Sequence, residues 1–190
     1  MDIPKGSPIV YISFSAEIKQ LATESLIGTL ANCANAQVKQ VYLLLSTLGG
    51  QVTNGFNLYN IMKGMPFELI THNVGSINSI GNIVFLAGSK RYATPNSTFM
   101  FHGVGFDIQN QRLVEKDLQE KLSSLLNDQQ RIGNVIAQHT SITESETGEF
   151  FRTGQTKDAI FAKDKGIIDE IRDVNLSPGY PIIPLIFQRQ

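Results

Sequence analysis

A chain of 190 residues with 42% hydrophobic and 17% charged residues can bury one core and is too apolar for disorder to be expected. Its 16 basic and 17 acidic residues leave a net charge of −1, which argues against a general nucleic-acid binder. No apolar run approaches the roughly 20 residues of a membrane helix. The opening MDIPKGSPIVYISF lacks the basic start and long apolar run of a secretory signal, and the single cysteine, Cys33, excludes an internal disulfide. A reducing, cytoplasmic setting with no membrane or nucleic-acid partner is expected.

Pro8 to Phe14 is rich in β-branched and aromatic residues and predicts a strand. Ile18, Leu21, Ala22, Leu26, Leu30 and Cys33 then recur at helical spacing, with Cys33 on the apolar side as buried filler. VYLLL at 41–45 suits a strand buried on both faces; it runs into STLGGQ, a glycine turn, and a helix holding Phe56, Leu58, Tyr59, Ile61 and Met62. Phe67 to Val74 is a further strand, followed by GSINSIG and a buried helix over 80–87. Lys90–Thr94 and Thr98–Phe101 are short strands separated by Pro95-Asn96. From about Asp107 to His139 one long helix is expected, its stripe built from Val114, Leu118, Leu122, Leu125, Ile132 and Ile136 and suited to contact with another subunit. Thr143 with Glu146 matches a capping box, Asp158 begins a helix stopped by Gly166, and IIDEI is a last strand. The tail SPGYPIIPLIFQRQ is Pro-rich and apolar. The alternation predicts an α/β fold with a parallel sheet, as one domain over 1–174 followed by a tail over 175–190.

Two of the predicted turns carry chemistry. Ser79 lies at a strand-to-helix bend, where it serves either as a helix cap or as a nucleophile. The amide of Ile80 is free there because a helix's first N–H groups lack partners. Gly50 closes a glycine pair after another strand and can bring its N–H close to a ligand. Together these amides would make an oxyanion hole. Among three histidines, His72 sits inside a strand and His139 ends the long helix, where the dipole favours it. His102 ends TFMF before Gly103, at a strand terminus opening into a loop, and is the candidate base.

STLGGQVTNGFNLYNIM, GSINSIG and KRYATPNSTFMFHG, in that order, together with AQHT at 137–140 and GIID at 166–169, resemble the Clp protease proteolytic subunit (ClpP) family over about Ile9 to Ile171. The resemblance implies a ClpP/crotonase-like fold of repeated β-β-α and βα units with a long handle helix. It implies Ser79 as nucleophile, His102 as general base and the amides of Gly50 and Ile80 as oxyanion hole. The reaction would be peptide-bond hydrolysis through an acyl-enzyme, needing no metal or cofactor. Substrates would be peptides or unfolded proteins, cleaved inside a homo-oligomeric ring, with a Clp-type ATPase as a partner to consider. Four departures stand out. The family's aspartate column falls on Gly154, leaving Asp158, or else Glu149, as the nearest acid. Leu48 replaces the proline of the family's SPGG, the segment before the first strand is short, and the apolar tail has no counterpart. A catalytically impaired or inactive ClpP-like ring subunit is therefore the alternative. A crotonase-type acyl-CoA enzyme is a further one, opposed by the Ser–His pair.

Overall fold

The computed structural model of the protein describes residues 3–105 and 112–187. Its elements run β1 (Ile9–Ser15), α1 (Gln20–Asn35), β2 (Gln40–Thr47), α2 (Val52–Lys63), β3 (Glu68–Asn78), α3 (Gly81–Phe85), β4 (Lys90–Ala93), β5 (Thr98–Phe101), α4 (Glu115–His139), α5 (Glu144–Thr153), β6 (Gln155–Asp158), α6 (Ala159–Asp164), β7 (Glu170–Ile171) and β8 (Ile182–Leu185). The strands form one sheet in the order β6-β5-β3-β2-β1-β8, and β4 bridges β3 to β7. All pairings are parallel except β5 with β6.

Strand β3 is longer than its apolar run predicts, and that length organises the site end of the sheet. Its first half pairs with β4 through Ile70–Asn73, and its last residues, Ser76–Asn78, pair with β5. One strand thereby serves two successive neighbours and delivers Ser79 beside the end of β5. The signal was weak because Asn73, Gly75, Ser76 and Asn78 are poor strand formers. Here they are held by hydrogen bonds: Asn73 Nδ2 donates to Thr98 O at 2.8 Å, and Ser76 Oγ pairs with Thr98 Oγ1 at 3.0 Å.

One sheet face buries the main core, with Val10, Ile12, Phe14, Leu43 and Leu45 packed against Leu26, Leu30 and Cys33 of α1, Leu58 of α2 and Phe85 of α3. The other face carries Tyr11, Tyr42 and Ile70, against which Tyr92 and Leu176 pack. Cys33 is fully buried and its thiol is pushed up to about 11, an inert position.

The long helix is shorter than the pattern suggests. It begins at Glu115, where the backbone N–H of Val114 donates to the Asp117 carboxylate at 3.1 Å and stops the helix from running further back. Residues 107–111 of the expected helix lie outside the described residues. Two strands had no periodic signal of their own: β6, whose residues QTKD are polar, and β8, which adds the tail to the free edge of β1 with Ile183 opposite Ile12.

Candidate active site

Thr47 ends β2, and the chain turns through Leu48, Gly49 and Gly50 into α2. Gly49 has φ +90° and Gly50 φ +147°. A Cβ on Gly49 would stand 2.8 Å from both Asn78 O and Ser79 Cβ, and one on Gly50 would stand 2.4 Å from Ile18 O. Side chains are therefore excluded on both, and the pair is wedged between the start of α1 and the Ser79 turn. The Gly50 N–H has no acceptor among the described residues, because the neighbouring bonds are Ile18 N–H to Gly49 O (2.7 Å) and Gln51 N–H to Ile18 O (2.9 Å).

Ser79 has φ +56°, one of two non-glycine residues in this region among those described. A non-glycine residue there is strained and persists only where its surroundings hold it. The Ser79 N–H donates to Met100 O at 2.8 Å, and Ser79 O accepts from Asn82 N–H at 3.0 Å and from Asn82 Nδ2 at 3.0 Å. Among the described residues the Ile80 N–H has no acceptor at the start of α3. Ile80 itself is buried, its Cγ1 in the place that a Cβ on Gly55 of α2 would take.

His102 follows the last residue of β5 and is exposed. The Gly103 N–H donates to Phe151 O at 3.1 Å, which anchors this strand end to α5. A cleft of about 190 Å³ gathers Gly50, Ser79, Asn82 and His102, with Phe101, Val104, Ile132, Ile136 and Phe151 as apolar lining. Three segments far apart in the chain thus place a hydroxyl, an imidazole and a glycine amide in one recess. Among the described residues no hydrogen bond joins Ser79 Oγ to His102. Such bonds are often long before substrate enters.

The other histidines stand elsewhere. His72 is fully buried on β3, bonded through Nδ1 to Tyr42 OH at 2.7 Å and through Nε2 to Arg172 O at 3.1 Å. Burial lowers its pKa. His139 ends α4 and pairs with Tyr59 OH at 2.8 Å.

Of the acids, Asp158 accepts the Phe161 N–H at 2.8 Å and caps α6; its strand partner is Thr98, four residues before His102. Glu149 is exposed on α5, where Gln155 Nε2 approaches it at 3.4 Å. The β5–β6 register ends with Phe101 opposite Gln155, so the next residues are His102 and Gly154. A Cβ on Gly154 would lie 3.9 Å from His102 Cβ and meet nothing else within 4 Å. Gly154 thus stands beside His102, and among the described residues no carboxylate is bonded to His102. Asn82 lines the cleft without having drawn attention in the sequence. Its only signal there was a polar residue at the start of an otherwise apolar helix, GNIVF.

A family model described as Clp protease matches residues 9–175. The chain belongs to the Clp protease family. It is 25% identical over 161 residues to ATP-dependent Clp protease proteolytic subunit 1 of Leifsonia xyli subsp. xyli, covering 80% of this chain and 77% of that protein. It is 27% identical over 135 residues to ATP-dependent Clp protease proteolytic subunit 3 of Streptomyces avermitilis, covering 70% of this chain and 60% of that protein. A solved structure of a ClpP1 mutant from Listeria monocytogenes superposes with a TM-score of 0.77 at 20% identity, over 86% of this chain and 91% of the other. The fold is accordingly the ClpP/crotonase-like α/β fold expected from the motif order.

Proposed function

We propose that this chain is a serine endopeptidase of the ClpP type, acting on peptides or unfolded proteins. Ser79 Oγ attacks the scissile carbonyl as His102 takes its proton. The amides of Gly50 and Ile80 receive the developing oxyanion. The imidazolium then protonates the leaving amine, and water, deprotonated by the same histidine, hydrolyses the acyl-enzyme. No metal or cofactor enters the scheme. The observation that carries the reading is the convergence of Gly50, Ser79 and His102 on one cleft, with the two proposed donor amides unbonded among the described residues.

The acid is the point at which this chain departs from a full triad. Asp158 pairs with Thr98, four residues along β5 from His102, and caps α6, so we read the resting site as a Ser79–His102 dyad with the acid position vacant at Gly154. That vacancy also favours a second reading, a catalytically impaired or inactive ring subunit. Labelling with a fluorophosphonate separates the two. Native protein is expected to gain one adduct on Ser79, with Ser79→Ala unlabelled; a folded, assembled native protein that stays unmodified removes the peptidase reading.

We further place the peptidase domain at residues 1–174, with 175–190 as an appended tail, in the cytoplasm and in a homo-oligomeric ring. Exposed Leu118, Leu122 and Leu126 on α4 support self-association. The relatives' description as ATP-dependent supports a Clp-type ATPase as a partner. Among the described residues no helix is long and apolar enough to cross a membrane.

A further inference from the structure

The Asn82 carboxamide has no role in the scheme above, yet both hydrogens of its amide are bonded inside the cleft. It is 3% exposed. Its Nδ2 donates to Ser79 O at 3.0 Å and to Met100 O at 2.8 Å. Those two carbonyls also accept the backbone N–H groups of Asn82 and Ser79, at 3.0 and 2.8 Å. One primary amide therefore spends both hydrogens tying the Ser79 turn to β5, two residues before His102. Its Oδ1 is buried without a partner among the described residues. An unpaired buried acceptor costs free energy that an apolar side chain at the same place would not, and such groups persist where they perform a task.

We propose that Asn82 is a positioning residue for this reaction. Its carboxamide holds Ser79 in its strained conformation against the end of β5 and so sets the approach of Ser79 Oγ to the His102 imidazole. Among the described residues no carboxylate is bonded to His102 from the Gly154 side, so the Ser79 turn is the member of the pair that is held. The inference rests on the Ser79–His102 reading of the site.

The test compares the fluorophosphonate labelling rate of Ser79, kcat and KM on a fluorogenic peptide, and the thermal midpoint for the native protein, Asn82→Ala, Asn82→Leu and Asn82→Asp. Folded Asn82→Ala and Asn82→Leu are expected to label at least tenfold more slowly. The loss should lie in kcat, with KM changed less than twofold. Asn82→Asp separates positioning from mere packing through its pH profile. A protonated carboxyl can donate one hydrogen bond to the paired carbonyls, whereas an ionised one repels both. Its rate relative to native protein should therefore climb as pH falls. Folded Asn82→Ala labelling at the native rate overturns the assignment. If that variant does not fold, a pH-independent ratio for Asn82→Asp overturns it instead. Absence of labelling in native protein overturns the serine-peptidase reading and this inference with it, whereas equal labelling of native protein and variant overturns only the role of Asn82.

Discussion

Gly154 is where the proposed chemistry can be strengthened rather than broken. An aspartate there would have its Cβ 3.9 Å from His102 Cβ with open space around it. The obstacle is backbone: φ +66° and ψ 117° favour glycine, so the substitution should cost about 1–3 kcal/mol of stability. In return, the acid would hold the imidazole in one tautomer and stabilise the imidazolium. Because losing that acid from a full triad costs up to about 10⁴-fold in kcat, Gly154→Asp is expected to raise kcat by on the order of tenfold or more. Peptide hydrolysis measured beside the melting temperature checks it. A variant that is folded and no faster would show that His102 is not oriented from this side.

Packing between α2 and α3 reaches the site at Gly55. On α2, Gly55 faces Ile80, and an added Cβ would fall 2.2 Å from Ile80 Cγ1 and within 3.3 Å of its Cβ and Cδ1. Ile80 is 1% exposed and has little room to withdraw. Gly55→Ala should therefore push α3 and α2 apart, destabilising by roughly 1–3 kcal/mol as overpacking does. It should also displace the Ile80 amide from the proposed oxyanion hole, and losing one such donor costs about 10²–10³-fold in kcat. Kinetics at a temperature where the variant is folded separate the two effects. Retention of full activity would exclude Ile80 N–H from the mechanism. The same glycine explains why a helix reading of VTNGFNLYNIM was correct even though glycine is a poor helix former. Its missing side chain is what allows α3 to dock.

Across the whole molecule, pH sensitivity is expected from histidines outside the cleft. His72 is neutral and bonded on both nitrogens, and burial lowers its pKa below 6.5, opposed by the backbone hydrogen bond to Arg172 and by Asp173. Arg172 adds a further lowering. His139 is lowered likewise, by burial and by Arg91 and Lys63. For both, the unfolded chain takes up the proton first as pH falls. Their stabilising contribution is complete above about 6.5 and is lost as pH drops through the lower folded values. Glu146, held down to about 2 by Lys165 and Thr143, loses its contribution only below 4.5 and does not interfere. Urea midpoints measured from about pH 7.5 to about 5.5 should therefore decline. A flat or rising series would contradict the buried, neutral state of these rings.

Local patterns in the chain determined the alternation of strands and helices, the Thr143–Glu146 capping box and the cap at Asp158, because each depends on residues within one or two turns of each other. Motif order determined the family and singled out Gly50, Ser79, Ile80 and His102. Tertiary structure alone decided the rest. Strand β6 exists because QTKD pairs with TFMF, not because its own residues favour extension. That pairing gives Asp158 to α6 and sets Gly154 beside His102. The tail becomes β8 because β1 offers a free edge. The Asn82 carboxamide reaches β5 through Met100 O, a carbonyl 18 residues away that no local spacing connects to it. Contacts across a sheet are chosen by register between distant segments, and register is not written in either segment alone.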